Sequence, residues 1–206
     1  MNLKEIFSHY AFHPVIHLPK VLPVFDFTKG YDPNRMLSSQ YGIGRYNEKR
    51  VGMYTSELFT KDAAKIRDIH MGIDIAAPAG TAVHVFFDGT IFCATINEAA
   101  GDYGGTIITE HKLGEQKLWV LHGHLSHASI VSMSKNLQAG KGIQKGEVIA
   151  YLGDQTENGG WNPHLHFQIS LQAPIVCDMP GAVNIANLDE ALKQYPDPRL
   201  ILGNVY

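Results

Sequence analysis

From His70 onward, short apolar and β-branched stretches alternate with turn sequences. A strand about every 8–12 residues is typical of antiparallel sheets, and an Asp-Gly pair at 88–89 predicts a hairpin between the first two stretches. The predicted strands are residues 82–87, 90–96, 106–111, 117–125, 147–152 and 164–171. This pattern predicts a mainly β fold: an antiparallel sheet or partly closed barrel–sandwich hybrid core, with short peripheral helices and long N-terminal loops.

Both ends of the chain have a different pattern. Apolar residues at helical spacing predict a short helix within residues 1–12. Residues 31–65 are polar and contain scattered glycines, which is typical of surface loops. A second helix is predicted over residues 188–195, because the Pro-Asp-Pro sequence that follows would end it.

Composition narrows the class of protein. The 206 residues are 45% hydrophobic and 18% charged, with a net charge of −3. This balance excludes extensive disorder and provides no basic surface for nucleic acid. No apolar run reaches the roughly 18 residues of a membrane span, so no membrane insertion is expected. The first 20 residues lack the apolar core of a signal peptide. We therefore expect a cytoplasmic protein if the chain is complete, and an exported one if a leader has been removed.

The two cysteines, Cys93 and Cys177, form no C-x-x-C pair. A single bridge between them is possible, but two buried free thiols are the favoured interpretation.

Eleven histidines are the compositional excess that points to chemistry. One of them, His70, is followed four residues later by the carboxylate of Asp74. Because Gly72 and the β-branched Ile73 oppose a helix, an extended turn should direct both side chains inward. Imidazole with carboxylate is a common part of a zinc site.

Two further segments carry paired histidines. In the sequence HLHF, His164 and His166 share one strand face, about 6.5–7 Å apart. In HGHLS, His122 and His124 would share a face if the strand runs straight through Gly123. Catalytic zinc takes three protein ligands and keeps one position open. His70, Asp74 and one of these later histidines meet that count.

The remaining histidines are interpreted as structural. Pro14 breaks the helical spacing of the first group, and no carboxylate follows it at ligand spacing. Surface or packing roles are expected for His9, His13 and His17, roles in strands for His84 and His111, and a loop position for His127.

These segments together resemble the lysostaphin/LytM-type zinc endopeptidases. That family carries H-x-x-x-D, a later histidine near a strand end, and a final H-x-H. Here HMGIDIAAPAGTAV, HGHLS and HLHF occupy those places in order, within about residues 65–171. The resemblance implies the duplicated hybrid motif fold and hydrolysis of amide bonds in a peptide or peptidoglycan-like substrate.

The resemblance also implies the roles of five residues. His70, Asp74 and His166 would bind one Zn²⁺ per chain. His124 and His164 would assist catalysis, one deprotonating the attacking water and the other stabilising the oxyanion or protonating the leaving amine.

Three parts of the chain are expected on this basis. Residues 1–64 form an extension that can pack over the groove, residues 65–172 the peptidase core, and residues 173–206 a C-terminal extension of the same globular unit. Two alternatives remain open: a latent or non-catalytic zinc module that binds a peptide or partner, and a phosphocarrier of the glucose-permease IIA type.

Overall fold

A computed structural model describes residues 2–32, 34, 40–61, 66–132 and 138–206. Its strands are β1 (Gly42–Gly44), β2 (Ile69–His70), β3 (Ile73–Ala76), β4 (Ala82–His84), β5 (Gly89–Asn97), β6 (Gly104–Leu113), β7 (Gln116–Leu125), β8 (Gly142–Ile143), β9 (Val148–Tyr151), β10 (His164–Ser170) and β11 (Ala182–Val183). The helices are α1 (Leu3–Ser8), α2 (Glu57–Thr60), α3 (His127–Ser132), α4 (Leu188–Gln194) and α5 (Arg199–Leu202), with a 3₁₀ turn at Ile185–Asn187.

Seven strands form one antiparallel sheet in the order β1-β3-β10-β7-β6-β5-β8. The long hairpin of β6 and β7 lies near its centre. Two small antiparallel pairs, β4 with β9 and β2 with β11, complete the β structure. The predicted mainly β, antiparallel class is therefore confirmed.

The central strands are buried on both faces. Ile107 of β6 and Val120 of β7 lie in one apolar core, while the adjacent Ile108 and Leu121 lie in a second. Successive strand residues point to opposite faces. A sheet covered on both sides therefore requires the nearly continuous apolar runs that the sequence shows.

Some predictions of detail are wrong. The seven-stranded sheet stays open, with β1 and β8 at its edges, and does not close into a barrel. The Asp88-Gly89 pair makes no hairpin, because β4 pairs with β9 whereas β5 pairs with β6 and β8. The Asp88 carboxylate instead accepts a hydrogen bond from the backbone N–H of Lys145.

The ends of the chain agree better with the sequence. The predicted helices within 1–12 and over 188–195 are α1 and α4. The region of residues 31–65, expected as long loops with a few short elements, contains β1 and α2, whereas α5 beyond the Pro-Asp-Pro sequence is not predicted. The division of the chain at residues 64 and 172 stays a prediction.

Cys93 and Cys177 form a disulfide, which corrects the expectation of two free thiols. Their Cα atoms are 5.8 Å apart. The chain that follows β10 returns across the second core, where both side chains pack, and this brings together cysteines 84 residues apart in sequence.

Within the described ranges, no helix has the length and hydrophobicity to cross a bilayer.

Candidate metal centre

Three of the predicted site residues meet where β2, β3 and β10 come together. His70 ends β2, Asp74 lies in β3, and His166 lies directly opposite Asp74 in the register of β10 against β3. Gly72 allows this approach, because a Cβ atom there would lie 2.5 Å from the His166 ring. The H-x-x-x-D segment is thus extended, as predicted, and not helical.

The facing ligand atoms form a compact triangle. His70 Nε2 lies 3.2 Å from Asp74 Oδ1 and 3.0 Å from His166 Nδ1. His166 Nδ1 lies 3.0 Å from the same carboxylate oxygen. All three side chains are buried. Within the described part of the chain, no second group of three His, Cys, Asp or Glu side chains brings its ligand atoms so close.

In His70 and His166, the ring nitrogen that points away from the triangle has a hydrogen-bond acceptor, which orients the ring. His70 Nδ1 donates to the backbone oxygen of Arg45 at 2.9 Å, and His166 Nε2 donates to Gln168 Oε1 at 2.9 Å. With the protons on those outer nitrogens, His70 Nε2 and His166 Nδ1 present lone pairs to each other and to the carboxylate. In metal-binding histidines, the nitrogen that does not bind the metal typically donates to such an acceptor.

The donor set fits zinc. Ligand atoms at about 2.0–2.2 Å from a tetrahedral zinc ion stand about 3.3–3.6 Å from one another. The observed separations of 3.0 to 3.2 Å are close to that spacing. Two imidazoles and one carboxylate are also ligands that zinc accepts. These residues can therefore hold a zinc ion and leave one position open.

The other two predicted site residues lie side by side next to the triangle. The His124 and His164 ring centroids are 4.1 Å apart, and His164 Nε2 lies 3.7 Å from Asp74 Oδ1. Each Nδ1 is bonded to a backbone oxygen, His124 to Asn158 at 2.9 Å and His164 to Asn162 at 2.6 Å. Both Nε2 atoms are consequently left as proton acceptors.

His122 and His124 do not share a face, contrary to the expectation of a straight strand. His124 has a φ angle of +62°, and the β6–β7 register shifts between Gly105 and Ile107. The chain thereby directs His124 toward the metal ligands, whereas His122 packs on Phe167 on the other side of the sheet.

Burial dominates the ionisation of the site. It lowers the pKa of His70 to about 3, with the positive charge of Arg50 adding to the effect. Burial also lowers the pKa of His164, and it lowers that of His124 well below the usual value. Burial alone would raise the pKa of Asp74, but the charge of Arg50 and the histidines hold it well below its usual range.

Three neighbouring residues were not predicted. Tyr103 donates from its hydroxyl to Met179 O and lies 3.4 Å from His166 Nε2. Gln168 follows His166 by two residues, so strand alternation could have found it. Arg50 bonds to Asp74 from a segment predicted as loop, and no local pattern marks it.

The space over the site is small, about 60 Å³, which is room for a few water molecules. Residues from the N-terminal part of the chain form one wall, including Met53, Tyr54 and Phe59.

The remaining histidines lie elsewhere. His13, His17 and His84 contact one another through their rings. His111 bonds to Thr109 within β6. His127 begins α3 and does not lie in the expected loop.

Known proteins resemble part of this chain. The protein named DD-carboxypeptidase/endopeptidase Mpg of Neisseria meningitidis serogroup B is 33% identical over 125 residues, which cover 61% of this chain. The chain spans only 25% of that relative's length.

Solved structures give weaker matches. The catalytic domain of the prophage-encoded M23 protein EnpA from Enterococcus faecalis has a TM-score of 0.44 at 21% identity, covering 71% of this chain and 89% of that one. The catalytic domain of lysostaphin from Staphylococcus simulans has a TM-score of 0.43 at 18% identity, covering 78% and 98%.

The sequence profile of Peptidase family M23 matches residues 68–176, more than half of the chain, and this range contains all five predicted site residues. The resemblance to lysostaphin/LytM-type peptidases inferred from the sequence is thus confirmed, and the chain belongs to Peptidase family M23.

Proposed function

We propose that the protein is a zinc-dependent endopeptidase that hydrolyses peptide bonds. The observation that carries this proposal is the convergence of His70 Nε2, His166 Nδ1 and Asp74 Oδ1 within 3.0 to 3.2 Å, beside two further histidines. Zinc held there would lower the pKa of a bound water to about 7 and polarise the scissile carbonyl.

The chain's own residues would handle the proton. At neutral pH, His124 and His164 are unprotonated because burial lowers both pKa values. The Nε2 atom of one accepts a proton from the attacking water, whose oxygen bonds to the carbonyl carbon. The other, whose ring is also fixed through Nδ1, likewise presents a lone pair at Nε2, so it orients the attacking water by accepting a hydrogen bond from it. Stabilising the oxyanion would require a proton on that Nε2. The transferred proton then passes to the leaving nitrogen as the C–N bond breaks.

Peptides of the bacterial cell wall, or other glycine-containing peptides, are the proposed substrates. Support comes from the family and from the relative whose name describes a DD-carboxypeptidase and endopeptidase. Because the chain covers a quarter of that relative, the substrate is inferred for the site alone.

A latent form of the same enzyme is a second candidate. The space directly over the site is about 60 Å³ in this structure, less than the roughly 300 Å³ or more that is typical of ligand pockets. Tyr54 stacks on Phe59 of α2 with ring centroids 4.6 Å apart, and both line the space over the site. Displacement of residues 53–60 would open the groove to substrate.

We further propose an oxidising compartment as the place of action. The disulfide between Cys93 and Cys177 favours it, because such bridges are rare in the cytosol. Labelling free thiols before and after reduction in protein taken from cells tests this. Two reactive thiols before reduction would contradict it.

The test of function is metal content of the purified, unchelated protein together with a cleavage screen of pentaglycine, cell-wall peptides and general peptides. About one zinc per chain with cleavage is expected. One zinc without cleavage would favour the latent form. Substitutions at Tyr54 and Phe59 would then test whether opening the groove restores cleavage. No zinc after reconstitution would contradict the proposal.

A further inference from the structure

We propose that Arg50 is a positioning residue for the metal ligand Asp74, so that this carboxylate binds zinc through Oδ1 alone. The inference rests on the zinc site of the proposed function. It concerns a residue outside the region that the family profile matches, residues 68–176.

Asp74 uses its two oxygens in opposite directions. Oδ1 lies 3.2 Å from His70 Nε2 and 3.0 Å from His166 Nδ1, on the side of the ligand triangle. Oδ2 lies 2.6 Å from Arg50 Nη1. A carboxylate can bind zinc through one oxygen or two. The guanidinium occupies Oδ2, and this leaves only one oxygen for the metal.

Arg50 itself is held firmly. Its backbone N–H donates to Asp68 O at 2.8 Å, in a segment that runs antiparallel to β2. The same pairing joins His70 N to Glu48 O at 3.0 Å and Asn47 N to His70 O at 2.8 Å. The backbone that places Arg50 therefore also places the ligand His70.

The side chain of Arg50 is fixed by charge and by aromatic rings. It is 1% exposed, and its guanidinium lies between two carboxylates, with Nε 3.5 Å from Glu48 Oε2. Phe27 and Tyr54 face it, with centroids 5.0 and 5.9 Å from Cζ, and Nη1 also donates to the Tyr54 hydroxyl. Long side chains lose much rotamer freedom on burial. Burial therefore restricts the rotamers of Arg50.

Gly44 makes the approach possible. It lies opposite Asp74 in the pairing of β1 with β3. A Cβ atom at this position would lie 2.8 Å from Arg50 Nη2 and 3.2 Å from Asp74 Cβ. The N-terminal part of the chain thus supplies both the cation and the space for it.

The experiment compares Arg50→Met and Arg50→Lys with the control Arg199→Met. Arg199, in α5, also pairs with a carboxylate, Asp197, and also lies over an aromatic ring, that of Tyr206. The zinc dissociation constant is measured by competition with a chromogenic chelator, and the visible absorption of the Co²⁺ form reports coordination number.

We expect Arg50→Met to bind zinc about 10- to 100-fold more weakly, as when other residues that hydrogen-bond to a metal ligand are replaced. Its Co²⁺ bands should lose intensity as Asp74 becomes bidentate. Arg50→Lys should recover part of the affinity, and Arg199→Met should match the parent. Lower stability with unchanged zinc affinity and an unchanged Co²⁺ spectrum would show a purely structural ion pair. Tighter zinc binding would show that Arg50 acts by charge repulsion. Either result would overturn the proposal.

A second measurement needs no variant, which matters because removal of a buried ion-pair partner can prevent folding. A crystal structure of the zinc-loaded parent should have Asp74 Oδ1 about 2.0–2.2 Å from zinc, with Oδ2 on Arg50. Both oxygens on zinc, or Arg50 turned away, would overturn the proposal.

None of these measurements uses peptide cleavage. A parent that binds zinc but cleaves nothing would contradict the proposed function, and Arg50 would still be judged by the affinities. A parent that binds no zinc would overturn both.

Discussion

Two groups of three side chains in this protein are both rich in histidine but differ in what they can bind. One is the metal centre, His70, Asp74 and His166. The other, which we name the surface histidine cluster, is His13, His17 and His84. In that cluster the ring centroids are 5.0 to 5.6 Å apart. Its ring nitrogens do not converge as those of the metal centre do.

Orientation and charge account for the difference. In the metal centre, each ring donates its outer proton, to Arg45 O or to Gln168 Oε1, and directs its lone pair at a buried carboxylate. In the surface histidine cluster, His13 and His84 bond to backbone oxygens and His17 is exposed. Among the described residues, none of the three histidines pairs with a carboxylate. The number of histidines therefore does not make a site. Convergent, unprotonated donors around an anion do.

The largest effect is expected from His166→Ala. It removes a ligand, so bound zinc should fall from about one per chain to near zero, and hydrolysis should fall to background. Because the two apolar cores are formed by other residues, the β fold should persist. Metal analysis measures the zinc content, and far-UV circular dichroism measures whether the β fold persists. His84→Ala is the matched control, and it should keep zinc. If zinc were lost from the control and retained by His166→Ala, the comparison would be reversed.

His124→Ala separates metal binding from proton transfer. The His124 side chain forms no part of the ligand triangle, so zinc content should stay unchanged. The value of kcat should fall by about 10²- to 10⁴-fold, as for loss of a general acid–base group. Steady-state kinetics on the peptide found by the cleavage screen measure this. His127→Ala, at the start of α3, should retain parental turnover. Full activity in His124→Ala would disprove the assigned role.

Replacing both cysteines by serine tests whether the metal centre depends on the bridge. The Cys93–Cys177 disulfide closes a long loop, so its loss should lower the free energy of unfolding by about 2–4 kcal/mol. Denaturant titration measures that change. Zinc affinity should hold, because neither cysteine supplies a ligand atom to the triangle. A matching loss of zinc affinity would show that the bridge supports the site.

The buried histidines outside the ligand triangle predict that the protein loses stability in acid. Burial lowers the pKa of His122 to about 3 and of His111 to about 4. The unfolded chain, with histidine pKa near 6.5, binds more protons in acid. Stability is thus fully present above about pH 6.5 and is lost toward pH 4, by up to about 1.4 kcal/mol per pH unit for each group.

Denaturant titrations of metal-free protein between these pH values should show that slope, and His122→Leu should reduce it. An unchanged slope in His122→Leu would mean that His122 is not buried in its neutral form.

Much of the site was visible in the sequence because its signals are local. His164 and His166 are two residues apart in a strand, and they do share one face. His70 and Asp74 were placed in extended chain because Gly72 and Ile73 disfavour a helix. The apolar runs that give the fold class arise because each central strand is buried on both sides.

What needed the tertiary structure depends on contacts distant in sequence or on one backbone angle. The positive φ of His124 separates it from His122, and HGH contains no sign of it. Strand β1, the Cys93–Cys177 bridge and the open sheet follow from how the chain ends pack on the core. Arg50 reaches Asp74 through backbone pairing beside β2, 24 residues before its partner. The sequence by itself therefore determined which side chains can bind a metal. Only the tertiary structure decided how they are oriented, since long-range pairing and charge set that geometry.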